Sequence, residues 1–178
     1  MNDGAVDILL VDDNPSDVKL ILYVLNSRGF GERVQVALDG TEALEFLFCT
    51  DRYSQRHIEN QPRLILLDLK LPLLDGLETL QRIKSDARTR AVPVVVMTSS
   101  RAERDISRCY ELGVNSYIVK PIDFTEFSES VRGVSTYWLM LNQSPSLSEN
   151  SRQNRRRTDG LGARSVLAEA VGDGESPA

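Results

Sequence analysis

Residues 64–76 read LILLDLKLPLLDG. Four apolar residues run unbroken into an acid, Asp68, and Pro72 and Gly76 follow as turn formers. A short apolar run bounded by turn residues is the pattern of a strand buried on both faces. A charge at the end of such a strand is costly to bury unless it is paired or coordinates a metal. The stretch therefore predicts other charges that meet Asp68 in space.

The same grammar recurs along the chain. Strands are expected at DILLVD (7–12), RVQVAL (33–38), RLILLD (63–68), PVVVMT (93–98) and SYIVK (116–120). Helical periodicity lies between them: Val18, Ile21, Leu22 and Leu25 behind Asn14-Pro15; Leu44, Leu47 and Phe48 behind Asp39-x-x-Glu42; Leu77, Leu80 and Ile83; then Ala102, Ile106, Cys109 and Tyr110, ended by Gly113. The fifth helix opens with the box Asp123-x-x-Glu126, an expected staple of Ile122 on Phe127, and an apolar face of Phe127, Val131, Val134 and Trp138. A regular (βα)5 alternation predicts an α/β fold, a doubly wound parallel sheet with helices on both faces. Ligands bind such sheets outside the carboxyl ends of the strands. Asp12, Asp68, Thr98 and Lys120 each close or follow a strand and so share that edge.

With 178 residues, 41% hydrophobic and 26% charged, the chain carries one ordinary domain and some length beyond it. A net charge of -5 gives no general attraction to nucleic acid. The N-terminus lacks an apolar signal segment and no run reaches the ~18 apolar residues of a membrane span, so a cytoplasmic protein without membrane insertion is expected. Cys49 and Cys109 form no CxxC pair and are read as reduced thiols. His57 sits in a polar loop, and with no second histidine no transition-metal site arises. From residue 143 to 178 the composition turns to Ser, Asn and Arg without apolar period, the signature of a disordered polar tail. SVLAEAV (165–171) holds at most a turn or two of marginal helix.

In a parallel sheet Asp12 and Asp13 follow the first strand and Asp68 the third. Two like charges ~5 Å apart repel by roughly 3 kcal/mol at an effective dielectric of ~20. A hard divalent cation such as Mg²⁺ relieves that repulsion and takes a few carboxylates plus waters. Lys120 and Thr98 bring an ammonium and a hydroxyl that suit phosphoryl oxygens, and an Asp carboxylate is itself a nucleophile for phosphate. Taken singly, each residue has a plainer reading as a helix cap, a solvated strand end or a surface charge; the joint pattern favours a site.

The motifs LLVDDNPSD, LILLDLKLPLLDG, VVVMTSS and SYIVKP, in that order over residues 7–140, resemble the receiver domain of two-component response regulators. Thr98 lies thirty residues past Asp68 and Lys120 fifty-two, as in that family. The resemblance implies a flavodoxin-like sheet of strand order 2-1-3-4-5, with residues 1–142 as the receiver. It implies Asp68 as phosphoacceptor; Asp12, Asp13, Asp68 and the Lys70 backbone carbonyl around Mg²⁺; Thr98 and Lys120 on the phosphoryl group; and Tyr117 as a switch aromatic. It also implies a cis bond between Lys120 and Pro121. Within the family VDDNPSDVKLI and VRGVSTYWL are similar to the phytochrome-associated single-domain regulators, which implies a phytochrome-type sensor histidine kinase as donor in a phosphorelay.

Other classes fit less well. A phosphatase of the haloacid dehalogenase type would also use Asp68 as nucleophile, but it wants a second Asp where Lys70 stands. A flavin module needs a phosphate-cradling loop where the chain has Asp-Asp-Asn-Pro. A tail of ~35 polar residues cannot build a DNA-recognition domain with its own core. With no effector domain, output is expected through the fourth helix, fifth strand and fifth helix, and Tyr137, Trp138, Leu139 and Met140 cannot all face inward there. A homodimer or a kinase contact is expected at that end.

Overall fold

The structure, a computed structural model, describes residues 6–143. The expected tail, from residue 144 on and including 165–171, lies outside the described residues. Five strands, β1 (Ile8–Val11), β2 (Val34–Ala37), β3 (Leu64–Leu67), β4 (Val94–Thr98) and β5 (Ser116–Val119), form one parallel sheet in the order β2-β1-β3-β4-β5. Each lies inside the run expected from sequence.

Because side chains alternate across a strand, the apolar runs split into two cores. Leu9, Val11, Ile65, Leu67, Val94 and Val96 pack on one face beneath α2 (Gly40–Phe48), α3 (Gly76–Ser85) and α4 (Glu103–Glu111). Ile8, Leu10, Leu64, Leu66, Val95 and Met97 pack on the other beneath α1 (Pro15–Asn26) and α5 (Phe124–Thr136). Each fully buried Leu, Ile or Val side chain contributes about 1.5–3 kcal/mol. The edge strand β5 is only half-buried.

The helix starts follow from side-chain caps. Asn14 Oδ1 accepts the Ser16 amide at 2.9 Å, with Pro15 in the first turn, where a missing N–H costs nothing. Asp39 Oδ1 accepts the Glu42 amide at 2.8 Å, but Glu42 returns its bond to the Leu38 amide at 3.0 Å, not to that of Asp39. Asp75 caps α3 through the Glu78 amide at 2.8 Å, a cap not among those expected. Gly113, at φ 87°, ends α4 in the left-handed conformation.

Three expectations are corrected. Ile122 is 99% exposed and does not staple onto buried Phe127. Asp123 Oδ1 fixes the start of α5 without it, by accepting the Thr125 and Glu126 amides at 2.8 and 3.0 Å. Tyr110 is exposed: the buried stripe of α4 is narrow, centred on Cys109, and the next residue is rotated by about 100°. No cis peptide bond occurs among the described residues, so Lys120–Pro121 is trans, the isomer X-Pro bonds favour by about 0.5–1 kcal/mol.

After Thr136 the fifth helix continues as one wide π turn, Tyr137–Leu141, closed by the Asn142 amide on the Tyr137 carbonyl at 2.8 Å. Arg63, just before β3, donates to the Leu139 carbonyl at 2.5 Å and ties this turn to the sheet.

Candidate functional site

The register builds the site. Val11 pairs with Leu67, so the next residues, Asp12 and Asp68, leave neighbouring strands side by side. The Asp68 amide donates to the Val11 carbonyl at 2.9 Å, which fixes the backbone under both carboxylates. Thr98 pairs with Val119, and the Lys120 amide donates to the Thr98 carbonyl at 2.8 Å, extending β5 by one residue toward the same edge.

Lys120 Nζ lies 2.7 Å from Asp12 Oδ2, 2.7 Å from Asp68 Oδ2 and 2.8 Å from Asp17 Oδ2. Asp12 and Asp68 are buried, and Asp17 is half-exposed on the first turn of α1. Burial alone would lower the Lys120 pKa, but hydrogen bonds to Asp12, Asp17 and Asp68 outweigh it and hold the ammonium above its ordinary value. Burial pushes the Asp12 carboxyl upward, against the pull of Lys120 and of the Asn14 amide, which donates to Asp12 Oδ1 at 2.9 Å. The result is a low-dielectric strand edge where three carboxylates share one cation.

The remaining residues surround it. Thr98 is fully buried, and its Oγ1 accepts the Ser100 amide at 3.4 Å. The Lys70 amide donates to Asp68 Oδ1 at 3.1 Å, while its ammonium reaches Ser99 Oγ at 3.0 Å. Tyr117 is half-buried, with its hydroxyl on the Ser100 carbonyl at 3.1 Å. Asp13, next in sequence to Asp12, is exposed. Gly76 seats the start of α3 on this edge: a Cβ there would stand 2.5 Å from Leu69 Cα and closer still to the Asp68 carbonyl oxygen.

Sequence reasoning brought Asp12, Asp68 and Lys120 together but missed Asp17. The only signal was a third acid in DDNPSD, and an acid in a first helical turn already has a reason to be there in the helix dipole. Ser99, and the Ser100 hydroxyl on Asp105 at 2.6 Å, were missed for another reason: polar residues after a strand read as loop.

The response regulator receiver domain family matches residues 8–132. The chain belongs to that family. It is a receiver-domain response regulator, and the dehalogenase alternative is not favoured. It is 41% identical over 138 residues to the probable methanogenesis regulatory protein FilR2 of Methanothrix harundinacea, covering 78% of this chain and 86% of that one. It is 39% identical over 134 residues to the response regulator Rcp1 of a Synechocystis species, covering 74% and 88%. Among solved structures, the phosphorylated cyanobacterial phytochrome response regulator RcpA superposes with a TM-score of 0.73 at 39% identity, covering 78% of this chain and 97% of that one. The Mn(2+)-bound form of Rcp1 superposes with a TM-score of 0.72 at 36% identity, over 78% and 97%. The receiver is thus homologous to phytochrome response regulators and shares their fold. No described helix is long and apolar enough to cross a membrane.

Proposed function

We propose that Asp68 of this response regulator accepts a phosphoryl group from the phosphohistidine of a sensor histidine kinase, and acts as the stoichiometric acceptor of a phosphorelay. The observation that carries this reading is the single ammonium of Lys120 held 2.7 Å from both Asp12 and Asp68 at the lip of the sheet. A carboxylate oxygen of Asp68 attacks phosphorus as the P–N bond to the donor imidazole breaks. The electron pair returns to the imidazole nitrogen, and an acyl phosphate is left on Asp68. Lys120 loses one carboxylate partner in that step and meets a phosphoryl oxygen in its place. Thr98, with its hydroxyl beside the Ser100 amide, supplies a second donor.

The residues fit a hard divalent cation. Among the described residues no three His, Cys, Asp or Glu side chains gather into a ready-made metal cage. Mg²⁺ asks for less, because one or two carboxylates and several waters satisfy it. Asp12, Asp13, Asp68 and the Lys70 carbonyl are the oxygen donors that would hold it. The bound ion would screen the negative charge that attacking carboxylate and incoming phosphoryl group bring together.

In this reading residues 1–142 are the receiver and 143–178 a separate polar tail, and the protein works in the cytoplasm without contacting DNA. Tyr117 serves as the switch aromatic. The similarity to RcpA supports a phytochrome-type kinase as donor. A homodimer or a kinase contact forms at the end of the fifth helix, where Tyr137, Met140 and Leu141 are 52%, 61% and 66% exposed.

The test is Asp68→Asn, which keeps shape and removes the nucleophile. The variant folds and fails to take label from a phosphorylated histidine kinase or from acetyl phosphate in Mg²⁺. Undiminished labelling would overturn the assignment.

A further inference from the structure

Asp17 stands outside every role assigned so far, yet it makes one of the three ion contacts of Lys120 at the site. A helix-dipole role asks only that an acid lie in the first turn. Asp17 does more: its Oδ2 crosses from α1 to the end of β5 and meets Lys120 Nζ at 2.8 Å. An ammonium has three N–H donors and no acceptor. Here all three have carboxylate partners: Asp12, Asp17 and Asp68. The lysine side chain is only 9% exposed, which leaves little water to replace a lost partner.

From this donor count we infer that Asp17 is a positioning residue that restrains Lys120 in the phosphorylated state, an inference that rests on Asp68 being the phosphoacceptor. When Asp68 becomes an acyl phosphate it ceases to be a carboxylate, and the proton of Lys120 that faced it turns to a phosphoryl oxygen. Asp12 and Asp17 keep the other two. Asp17 therefore limits Lys120 to one hydrogen bond with the phosphoryl group and competes with that group for the ammonium. Asp12 is buried beneath the site, whereas Asp17 comes from the helix flanking it. Removing Asp17 frees one N–H donor without emptying the floor of the site. The phosphorylated form is thereby held below the stability that Lys120 alone would give it, which suits a signal that must decay.

The test uses the full chain and beryllofluoride, a phosphoryl mimic, at fixed saturating Mg²⁺, with the dissociation constant read by fluorine NMR. Asp17→Ala binds the mimic about three-fold tighter or more, the scale of one partly exposed charged contact. Asp17→Glu, whose longer carboxylate still reaches Nζ, returns the constant toward that of the wild type. In a Lys120→Met background Asp17→Ala has little further effect. An undiminished effect in that background would mean that Asp17 acts only as bulk negative charge, and would overturn the positioning role. Unchanged or weaker binding by Asp17→Ala would overturn it too. If the wild-type chain itself fails to bind the mimic, the phosphoacceptor reading of Asp68 falls first.

Discussion

The Tyr117 hydroxyl donates to the Ser100 carbonyl at 3.1 Å, bridging β5 and the turn that follows Thr98. The bond ties the half-buried ring to the backbone segment that would move if the Thr98 hydroxyl turned toward a phosphoryl group. Under the proposed switch role, such a movement would carry a local event at the site to a neighbouring surface. Tyr117→Phe is expected to lose about 0.5–1.5 kcal/mol in urea unfolding while taking phosphate at the wild-type rate. A slowed transfer with unchanged stability would place the ring in the chemistry instead.

Lys120 neutralises carboxylates that are otherwise buried together, so Lys120→Ala leaves Asp12 and Asp68 facing each other. Removing one partner of a buried pair costs about 3–5 kcal/mol. In chelator the variant should melt well below wild type. Added Mg²⁺ should stabilise it more than it stabilises wild type, because ligand binding shifts apparent stability by mass action. Thermal melts with and without Mg²⁺ check this, and a variant that no longer responds to Mg²⁺ would assign Lys120 to the metal site.

Lys84, on α3, holds the far side of the sheet through the Val92 carbonyl and Asn115 Oδ1, each 2.9 Å away. Burial lowers its pKa from 10.5 to about 8. Between those two values the unfolded chain keeps a proton that the folded chain has released. The contribution of Lys84 to stability therefore rises with pH across that window and is flat below it. The buried Cys109 thiol, pushed up from 9.0 to about 11, acts in the opposite sense between its own two values. The stability difference between wild type and Lys84→Met isolates the lysine. It should shift in favour of wild type from about pH 7.5 to about 9.5 in urea titrations, and a constant difference would contradict the assignment.

Much of the fold was legible because burial on both faces leaves continuous apolar runs. Val94-Val95-Val96 reads as a strand from its residue types alone, and Asn14, Asp39 and Asp123 announce helix starts. The site was legible as far as strand ends carry it, since the parallel register aligns Asp12 with Asp68. Asp17 was not, because its partner lies 103 residues away on another element and no local pattern links them. Ile122 was misread because a staple and an outward-facing residue share one sequence, and the Asp123 cap decides the helix start without it.

The apolar end of the fifth helix gives a fourth expectation. Truncation after Gln143 should leave the fold intact, and a phosphate mimic should raise the mass in solution if this end is the dimer contact. Trp138→Ala, at a half-buried position of that turn, should weaken dimerisation or kinase binding by several-fold. A monomer in every state, with kinase binding untouched by the substitution, would make this face ordinary packing.

The core between the sheet and helices α1 and α5 joins Ile8 and Leu10 to Phe127, Val131 and Leu139. During synthesis the first of these residues leave the ribosome long before the last have been made. At about 5–20 residues per second, Leu10 waits on the order of ten seconds for α5, the second of the two helices that cover it. Its strand can pair with β2 and meet Ile21, Val24 and Leu25 of α1 early, but the part of that face that α5 covers stays open until the final helix arrives. One of the two cores of the finished protein is thus one that a nascent chain can close only when its last helix has been made.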